Sequence, residues 1–229
     1  MNKESNKYTF LFSVAMVFVV AILLTLVSTG LQPRQNENIE NEKRQDILRS
    51  VKVNVSREAS REAFDKYITR QFLVNSSGEE IPGDAFAVDP GKEIKKTPGE
   101  RRLPVFIARV DGTTKYILPV RGTGLWGPLW GYISLNEDKN TIFGAVFDHK
   151  SETPGLGAEI TRDDFRSRFD GKTIFEGETL VSVRVEKGGK AGGPHEVDAI
   201  SGGTITSKGV EAMLKDNLTC YESFLKSLP

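Results

Sequence analysis

From Tyr8 to Pro33 the chain carries no charged side chain, and Phe10 to Val27 is almost entirely Phe, Leu, Val, Ala, Ile and Met. About 20 apolar residues suffice for a helix to cross the hydrocarbon core of a bilayer. In lipid a helix is also the form in which one segment satisfies its own backbone. The stretch is therefore read as an uncleaved membrane anchor. A secretory signal has a shorter apolar region and a small-residue cleavage site, and Val27-Ser28-Thr29-Gly30 is a weak one. A cleaved protein is the alternative, which the N-terminal mass decides. The most polar interior groups of the span are Ser13 and Thr25. Ion pathways through membranes normally need ionisable groups, so any ion would travel through other chains. Lys3 and Lys7 precede the span, while Arg34, Lys43, Arg44 and Arg49 follow it. That balance sets no orientation by the positive-inside rule.

The rest of the chain has the composition of a soluble domain. With 229 residues there is room for one ordinary domain and an appendage. Lys+Arg and Asp+Glu are equal at 31 each, so summed charge makes no case for nucleic acid. Cys220 is the single cysteine, which excludes an intrachain disulfide, a thiolate iron–sulfur cluster and a Cys-rich zinc site. Its spacing from Met213 and Phe224 suggests a buried structural thiol. His149 and His195 lack ligand spacing, so no metal site is expected.

Behind the anchor, residues 34–68 are polar and helix-prone. Ile39, Ile47 and Leu48 mark a first helix, and Ser56 with Glu58 and Glu62 could open a second through Phe64, Tyr67 and Ile68. Residues 76–101, rich in Gly, Pro and charge, read as an irregular excursion packed at Ala85-Phe86-Ala87-Val88. From Leu103 the texture is that of strands. Residues 105–110 and 115–120 flank Asp111-Gly112 as a hairpin, and 132–135 with 142–147 form a second. Thr161 could cap a short helix through Phe165 and Phe169, and Leu180 to Val185 alternates like a half-buried strand. Val210, Met213, Leu214, Tyr221, Phe224, Leu225 and Leu228 form a helical stripe. The expected fold class is α+β: a single N-terminal transmembrane helix, antiparallel strand pairs and a C-terminal amphipathic helix.

Ser201-Gly202-Gly203-Thr204-Ile205-Thr206-Ser207, preceded by Asp198, carries the chemistry. It resembles the flavinylation motif of bacterial membrane flavoproteins, in which a threonine hydroxyl carries FMN through a phosphoester. Threonine is a poor nucleophile without an adjacent base, and none is evident, so the motif looks like the substrate of a separate flavin transferase. Small glycines allow close approach to the backbone, and a helix opening just after them offers amide N–H groups to a phosphate. Gly203 departs from the family pattern, which usually has alanine there. Three further stretches agree in order: Gly122-Thr123-Gly124-Leu125-Trp126-Gly127, Glu152-Thr153-Pro154-Gly155-Leu156-Gly157 and Lys187-Gly188-Gly189. Together they resemble the C-subunit family of the Na+-translocating NADH:quinone reductases. The G-subunit of the Rnf-type electron transport complex is similar in its flavin domain, and the long segment between anchor and domain favours the former.

The resemblance implies a cytoplasmic tail and anchor over 1–33, a helical and irregular connection over 34–101, and an FMN-binding domain over 102–229. It also implies a role for each motif residue. Thr204 would carry the FMN; Ser201, Gly202 and Gly203 would shape the phosphate loop; Asp198 would help define it for the transferase. Leu125 and Trp126 would lie against the isoalloxazine, with Glu152, Thr153, Leu156 and Gly157 along the ring and ribityl chain, and Lys187 nearby as a cation. The residues also admit plainer readings. A tryptophan between strands is often core, a glutamate at a hairpin end is often solvated, and a lysine after a strand is ordinary. The chain would be the electron-carrying rather than the NADH-binding subunit of the reductase, with no catalytic side chain and no Gly-x-Gly-x-x-Gly nucleotide fold, so NADH oxidation falls to a partner. Electrons would arrive from an iron–sulfur centre in the membrane subunits and leave to a second covalent FMN, towards quinone. Other subunits would move Na+. The domain would lie on the outer face of the bacterial inner membrane. The reading of a different class is a membrane-tethered binding domain that never receives flavin.

Overall fold

The computed structural model describes residues 5–227; Lys3 of the tail and Leu228 of the expected helical stripe lie outside them. The chain divides into two compact units, residues up to 43 and residues from 44 onward. The first unit is most of α1 (Asn6–Ser50), a helix long and apolar enough to cross a membrane. Its two polar interior side chains are satisfied within the helix: Ser13 Oγ donates to the Thr9 carbonyl at 2.9 Å and Thr25 Oγ1 to that of Ala21 at 2.8 Å. Such back-bonding removes the cost of a bare hydroxyl in lipid. The anchor and the first polar helix expected after it are one element, running through Pro33.

The second unit begins with the end of α1, whose last turn closes in a Schellman motif. Val53 N–H donates to the Leu48 carbonyl at 3.0 Å and Lys52 N–H to that of Arg49 at 2.9 Å, with Lys52 at φ +63°. Next come α2 (Ser60–Tyr67), β1 (Ile68–Val74), β2 (Glu80–Ile81) and α3 (Pro90–Glu93). Ser56 does not open the second helix: its hydroxyl accepts from Ala59 N–H in the preceding turn, and Ile68 already belongs to β1. Ala85 is buried and Phe86 and Val88 pack beside it, as the excursion's apolar cluster suggested. The strands β3 (Leu103–Val110), β4 (Thr113–Thr123), β5 (Pro128–Leu135) and β6 (Ile142–His149) include both expected hairpins. They form one antiparallel sheet in the order β2-β1-β3-β4-β5-β6.

Both faces of this sheet are covered. Period-two alternation sends Leu73, Phe106, Ala108, Ile117 and Tyr132 to one side, against Ile47, Leu48 and Phe64. Phe72, Val105, Leu118, Val120 and Ile133 point to the other. There they meet α4 (Asp163–Arg166), the strands β7 (Phe175–Glu176), β8 (Thr179–Leu180), β9 (Arg184–Glu186) and β10 (Glu196–Asp198), and the long α5 (Thr204–Lys226). Phe165 and Phe169 pack edge-on at 5.4 Å and against Phe147. Thr161 does not cap their helix; its hydroxyl donates to the Ala158 carbonyl at the end of a 3-10 turn. The strand expected from Leu180 to Val185 is broken at Ser182, which sits at φ +61° while the N–H groups of Val181 and Ser182 both donate to the Ile174 carbonyl. Cys220 is half-buried rather than enclosed, and burial raises its thiol pKa.

α5 is held to the sheet by its apolar stripe and by Asn217, which is fully buried. β3 pairs with β4 only as far as Ile117, so β4 has an open edge further on. Asn217 Oδ1 accepts from Arg121 N–H at 3.1 Å, and its amide donates to the carbonyls of Arg121 and Met213, both at 2.7 Å. Replacing Asn217 with Ala removes the partner of two part-buried backbone groups, the N–H and carbonyl of Arg121. It is expected to destabilise the full chain by about 2–4 kcal/mol, read from denaturant unfolding in detergent.

Candidate functional site

Three loops meet at the N-terminal end of α5. The first, residues 124–127, links β4 to β5 and closes on itself through Gly124 N–H donating to the Gly127 carbonyl at 2.8 Å. Leu125 and Trp126 at its tip are exposed, Trp126 at 65%. The second follows β6. Here Pro154-Gly155 occupy the centre of a turn closed by Leu156 N–H to the Thr153 carbonyl at 3.1 Å, with Gly155 at φ +75°. Proline followed by a positive-φ glycine is the pattern of a type II turn. It leaves Thr153 and Leu156 facing solvent and Gly157 buried. The third loop is the turn Ile200–Gly203, closed by Gly203 N–H to the Ile200 carbonyl at 3.1 Å, from which α5 starts at Thr204.

Glu152 joins all three. It is only 4% exposed, with Oε1 accepting from Trp126 N–H at 2.8 Å and Oε2 from the Thr206 hydroxyl at 2.5 Å. Its own N–H donates to His149 Nδ1 at 3.2 Å, which requires that nitrogen to be unprotonated. Ser151 Oγ adds a bond to the Trp126 carbonyl at 2.9 Å. Leu156 lies over the glycines of the third loop: a Cβ on Gly202 would come within 2.6 Å of its side chain.

The hydroxyls of the third loop and of the first turn of α5 are not equivalent. Thr206 and Ser207 are buried; Thr206 is bonded to Glu152, and Ser207 Oγ accepts from Ile200 N–H at 3.1 Å. Ser201 is exposed and Thr204 half-exposed, at the first position of a 23-residue helix. The cap residue of that helix is Gly203, which contributes no side-chain acceptor. First-turn amides without a protein acceptor and the positive end of the helix dipole together favour an anion. Among the described residues, every large apolar side chain exposed outside α1 lies on the first two loops or the first turn of α5: Leu125, Trp126, Leu156 and Ile205.

Asp198 ends β10, opposite Glu186 of β9. Asp198 Oδ1 accepts from Ala191 N–H at 3.1 Å, tying down the glycine-rich loop between the strands. Its carbonyl and that of Ala199 accept from Arg168 Nη1, at 2.8 and 3.3 Å. Lys187 is exposed one residue past β9, next to Glu186, whose carbonyl accepts from Ala199 N–H at 2.7 Å. Ile205 and Arg168 were not singled out from sequence. Ile205 falls off the buried stripe that Val210, Met213 and Leu214 define, which marks it as outward-facing; nothing local marks Arg168.

The three loops thus set an exposed apolar rim beside the open start of a long helix. The family model described as an FMN-binding domain matches residues 124–219, spanning all three loops. The chain is 31% identical over 228 residues to the C-subunit of the Na+-translocating NADH-quinone reductase of Vibrio anguillarum, covering 92% of this chain and 89% of that one. It is 30% identical to the Pseudomonas aeruginosa C-subunit, covering 99% and 97%. The crystal structure of the Parabacteroides distasonis C-subunit superposes with a TM-score of 0.82 at 51% identity, over 87% of this chain and 98% of that one. The protein therefore belongs to the C-subunit family of the Na+-translocating NADH-quinone reductases.

The loop glycines separate cleanly. Gly202 sits at φ +75°, a conformation that L side chains resist. Gly203, at φ −104°, does not need glycine for its backbone; an added Cβ would lie 3.0 Å from the Leu156 carbonyl oxygen. Gly202→Ala should lower stability by about 1–2 kcal/mol. Gly203→Ala should cost less than about 1 kcal/mol, since Leu156 and the Ile200 side chain, also 3.0 Å from the added Cβ, have only to shift slightly. Thermal unfolding of the two variants side by side checks the contrast.

Proposed function

We propose that this chain is the covalent-FMN electron-relay subunit of a membrane respiratory complex that passes electrons from NADH towards quinone. The names of its relatives support that assignment, and the FMN-binding-domain match supports the cofactor. The observation that carries the site is the state of the loop hydroxyls. Thr206 and Ser207 are enclosed and bonded, whereas Thr204 is half-exposed at the first position of α5, next to the exposed Ile205. Thr204 Oγ would hold FMN through its phosphate, with Ser201, Gly202 and Gly203 giving the phosphate access to the first amides of α5.

FMN, when bound, supplies the electron acceptance and release that no side chain here provides. The protein's own contribution is placement. Leu125, Trp126 and Leu156 offer apolar surface to the ring, the Thr153–Gly157 turn borders it, and Lys187 adds a positive charge one residue past β9. No hydrogen bond among the described residues links a base to the Thr204 hydroxyl, consistent with attachment by a separate flavin transferase. A covalent tether suits so open a site, because a shallow cradle by itself would release the cofactor. The anchor fits single-pass membrane residence; the family resemblance adds the bacterial inner membrane and the outer face for the domain. The partners would be membrane subunits holding an iron–sulfur centre and a second covalent FMN, with Na+ moving through them.

Co-expression with the transferase should add one FMN to the intact mass and make the denatured band fluoresce under ultraviolet light. Thr204→Ala should abolish both, and flavin mapped to Thr206 or Ser207 would overturn the assignment. In the flavin-loaded protein, Trp126→Ala should raise flavin fluorescence at unchanged mass, because an indole stacked on the ring quenches it; unchanged emission would place the ring elsewhere.

A further inference from the structure

We propose that Glu152 and Thr206 form a buried strut that sets the shape of the flavin site before any flavin is attached. Glu152 then acts through the Trp126 loop and the first turn of α5 rather than on the ring. The family resemblance places Glu152 along the cofactor, but its surroundings do not leave it free to line one. The residue is 4% exposed and Thr206 2% exposed. One carboxylate oxygen is taken by Trp126 N–H at 2.8 Å and the other by the Thr206 hydroxyl at 2.5 Å. Bonds of this kind to a carboxylate are stronger than neutral ones. They join two segments far apart in the chain: the loop bearing the proposed ring contacts and the helix start bearing Thr204.

Two glycines make the arrangement possible. A Cβ on Gly124 would lie 2.5 Å from Glu152 Oε1, and one on Gly157 would lie 2.5 Å from Oε2. Neither glycine is at positive φ, so close approach rather than backbone conformation is what requires them. The carboxylate therefore sits in a slot cleared from both sides, with its main chain held by His149 Nδ1. Gly157, assigned to the cofactor by resemblance, serves the strut on this reading. The same bond occupies the Thr206 hydroxyl and leaves Thr204 as the accessible threonine of the turn.

The functional consequence rests on the flavin reading above, but the strut can be measured without flavin. The full chain, expressed without transferase and held in detergent, is followed by hydrogen-exchange mass spectrometry over residues 124–129 and 200–207. Thr206→Val deletes one hydroxyl at nearly constant shape, and Glu152→Gln keeps an acceptor while adding a donor. Thr206→Val should speed exchange in the 124–129 peptide about tenfold, although the substitution lies on α5. Glu152→Ala should do the same, and the double variant should exchange no faster than the worse single one, because both remove one shared interaction. Glu152→Gln should stay close to wild type. After flavin loading, with equal attachment verified by intact mass, Thr206→Val should raise flavin fluorescence as the Trp126 loop loosens.

Exchange in 124–129 that is unchanged by Thr206→Val would overturn the strut. So would a Glu152→Gln protein with wild-type exchange but a shifted flavin absorption spectrum, since Glu152 would then act on the ring directly. Absence of any FMN on the wild-type chain would sink the flavin reading alone, leaving the exchange experiment to decide the strut. Should Glu152→Ala fail to fold, the Thr206→Val and Glu152→Gln pair still gives the answer.

Discussion

The domain depends on how α5 is laid across the sheet. Its stripe of Val210, Met213, Leu214, Leu218, Tyr221, Phe224 and Leu225 is buried against strands β1 and β3 to β5 and the β7–β10 region. Apolar contact alone is non-directional and would let a helix of this length slide along its axis. Polar bonds at three heights remove that freedom. Glu152 holds Thr206 in the first turn, Asn217 bridges to the edge of β4 at mid-helix, and the buried Lys139 donates to the Phe224 carbonyl at 3.1 Å near the end. Lys139 also lies 3.8 Å from the centre of the Phe224 ring. A cation at a helix C-terminus complements the dipole whose positive end faces the site.

The opposite face of the sheet is closed by the N-terminal elements. Ile47 and Leu48 of α1 and Phe64 of α2 cover the residues that alternation turns away from α5. Ser134 Oγ donates to the carbonyl of Ser50 at 2.6 Å, satisfying a group that the end of α1 would otherwise bury unpaired. A Cβ on Gly144 would collide with that same carbonyl. Residues 47–50, the last turn of α1, are thus part of this unit's own packing. With both faces covered, the strands read as nearly continuous apolar runs such as Val105-Phe106-Ile107-Ala108, and the two cores separate only once the pairing is known.

The site sits on this frame as three short loops, each closed by its own backbone bond and then tied to the others through one carboxylate. Rigid elements with small closed loops are the arrangement in which a cofactor's surroundings can be set to a fraction of an ångström. On the proposed reading, attachment through Thr204 takes over the work of retention, and the exposed Leu125, Trp126, Leu156 and Ile205 are free to meet the ring and whatever approaches it. The glycines divide this labour: Gly155 and Gly202 serve their turns by conformation, while Gly124 and Gly157 make room for Glu152.

The sequence by itself determined the apolar anchor, both hairpins, the amphipathic C-terminal helix and the motif order that marks the flavin family. Each rests on a local pattern: uninterrupted apolarity, a two-residue period around Asp111-Gly112, a helical stripe, a string of small residues and hydroxyls. Features set by distant partners were not legible. The interval from Leu180 to Val185 alternates like one strand, yet it breaks at Ser182 because the Ile174 carbonyl takes two of its N–H groups. Ser56 and Thr161 look like helix caps and are not, since a cap needs the right backbone turn as well as the right side chain. Nothing local distinguishes Glu152 from a solvated hairpin-end charge. Only the tertiary structure, by bringing Trp126 and Thr206 to its two oxygens, decided that this carboxylate is buried; a side chain's partners at long sequence separation are fixed by packing, not by its neighbours in the chain.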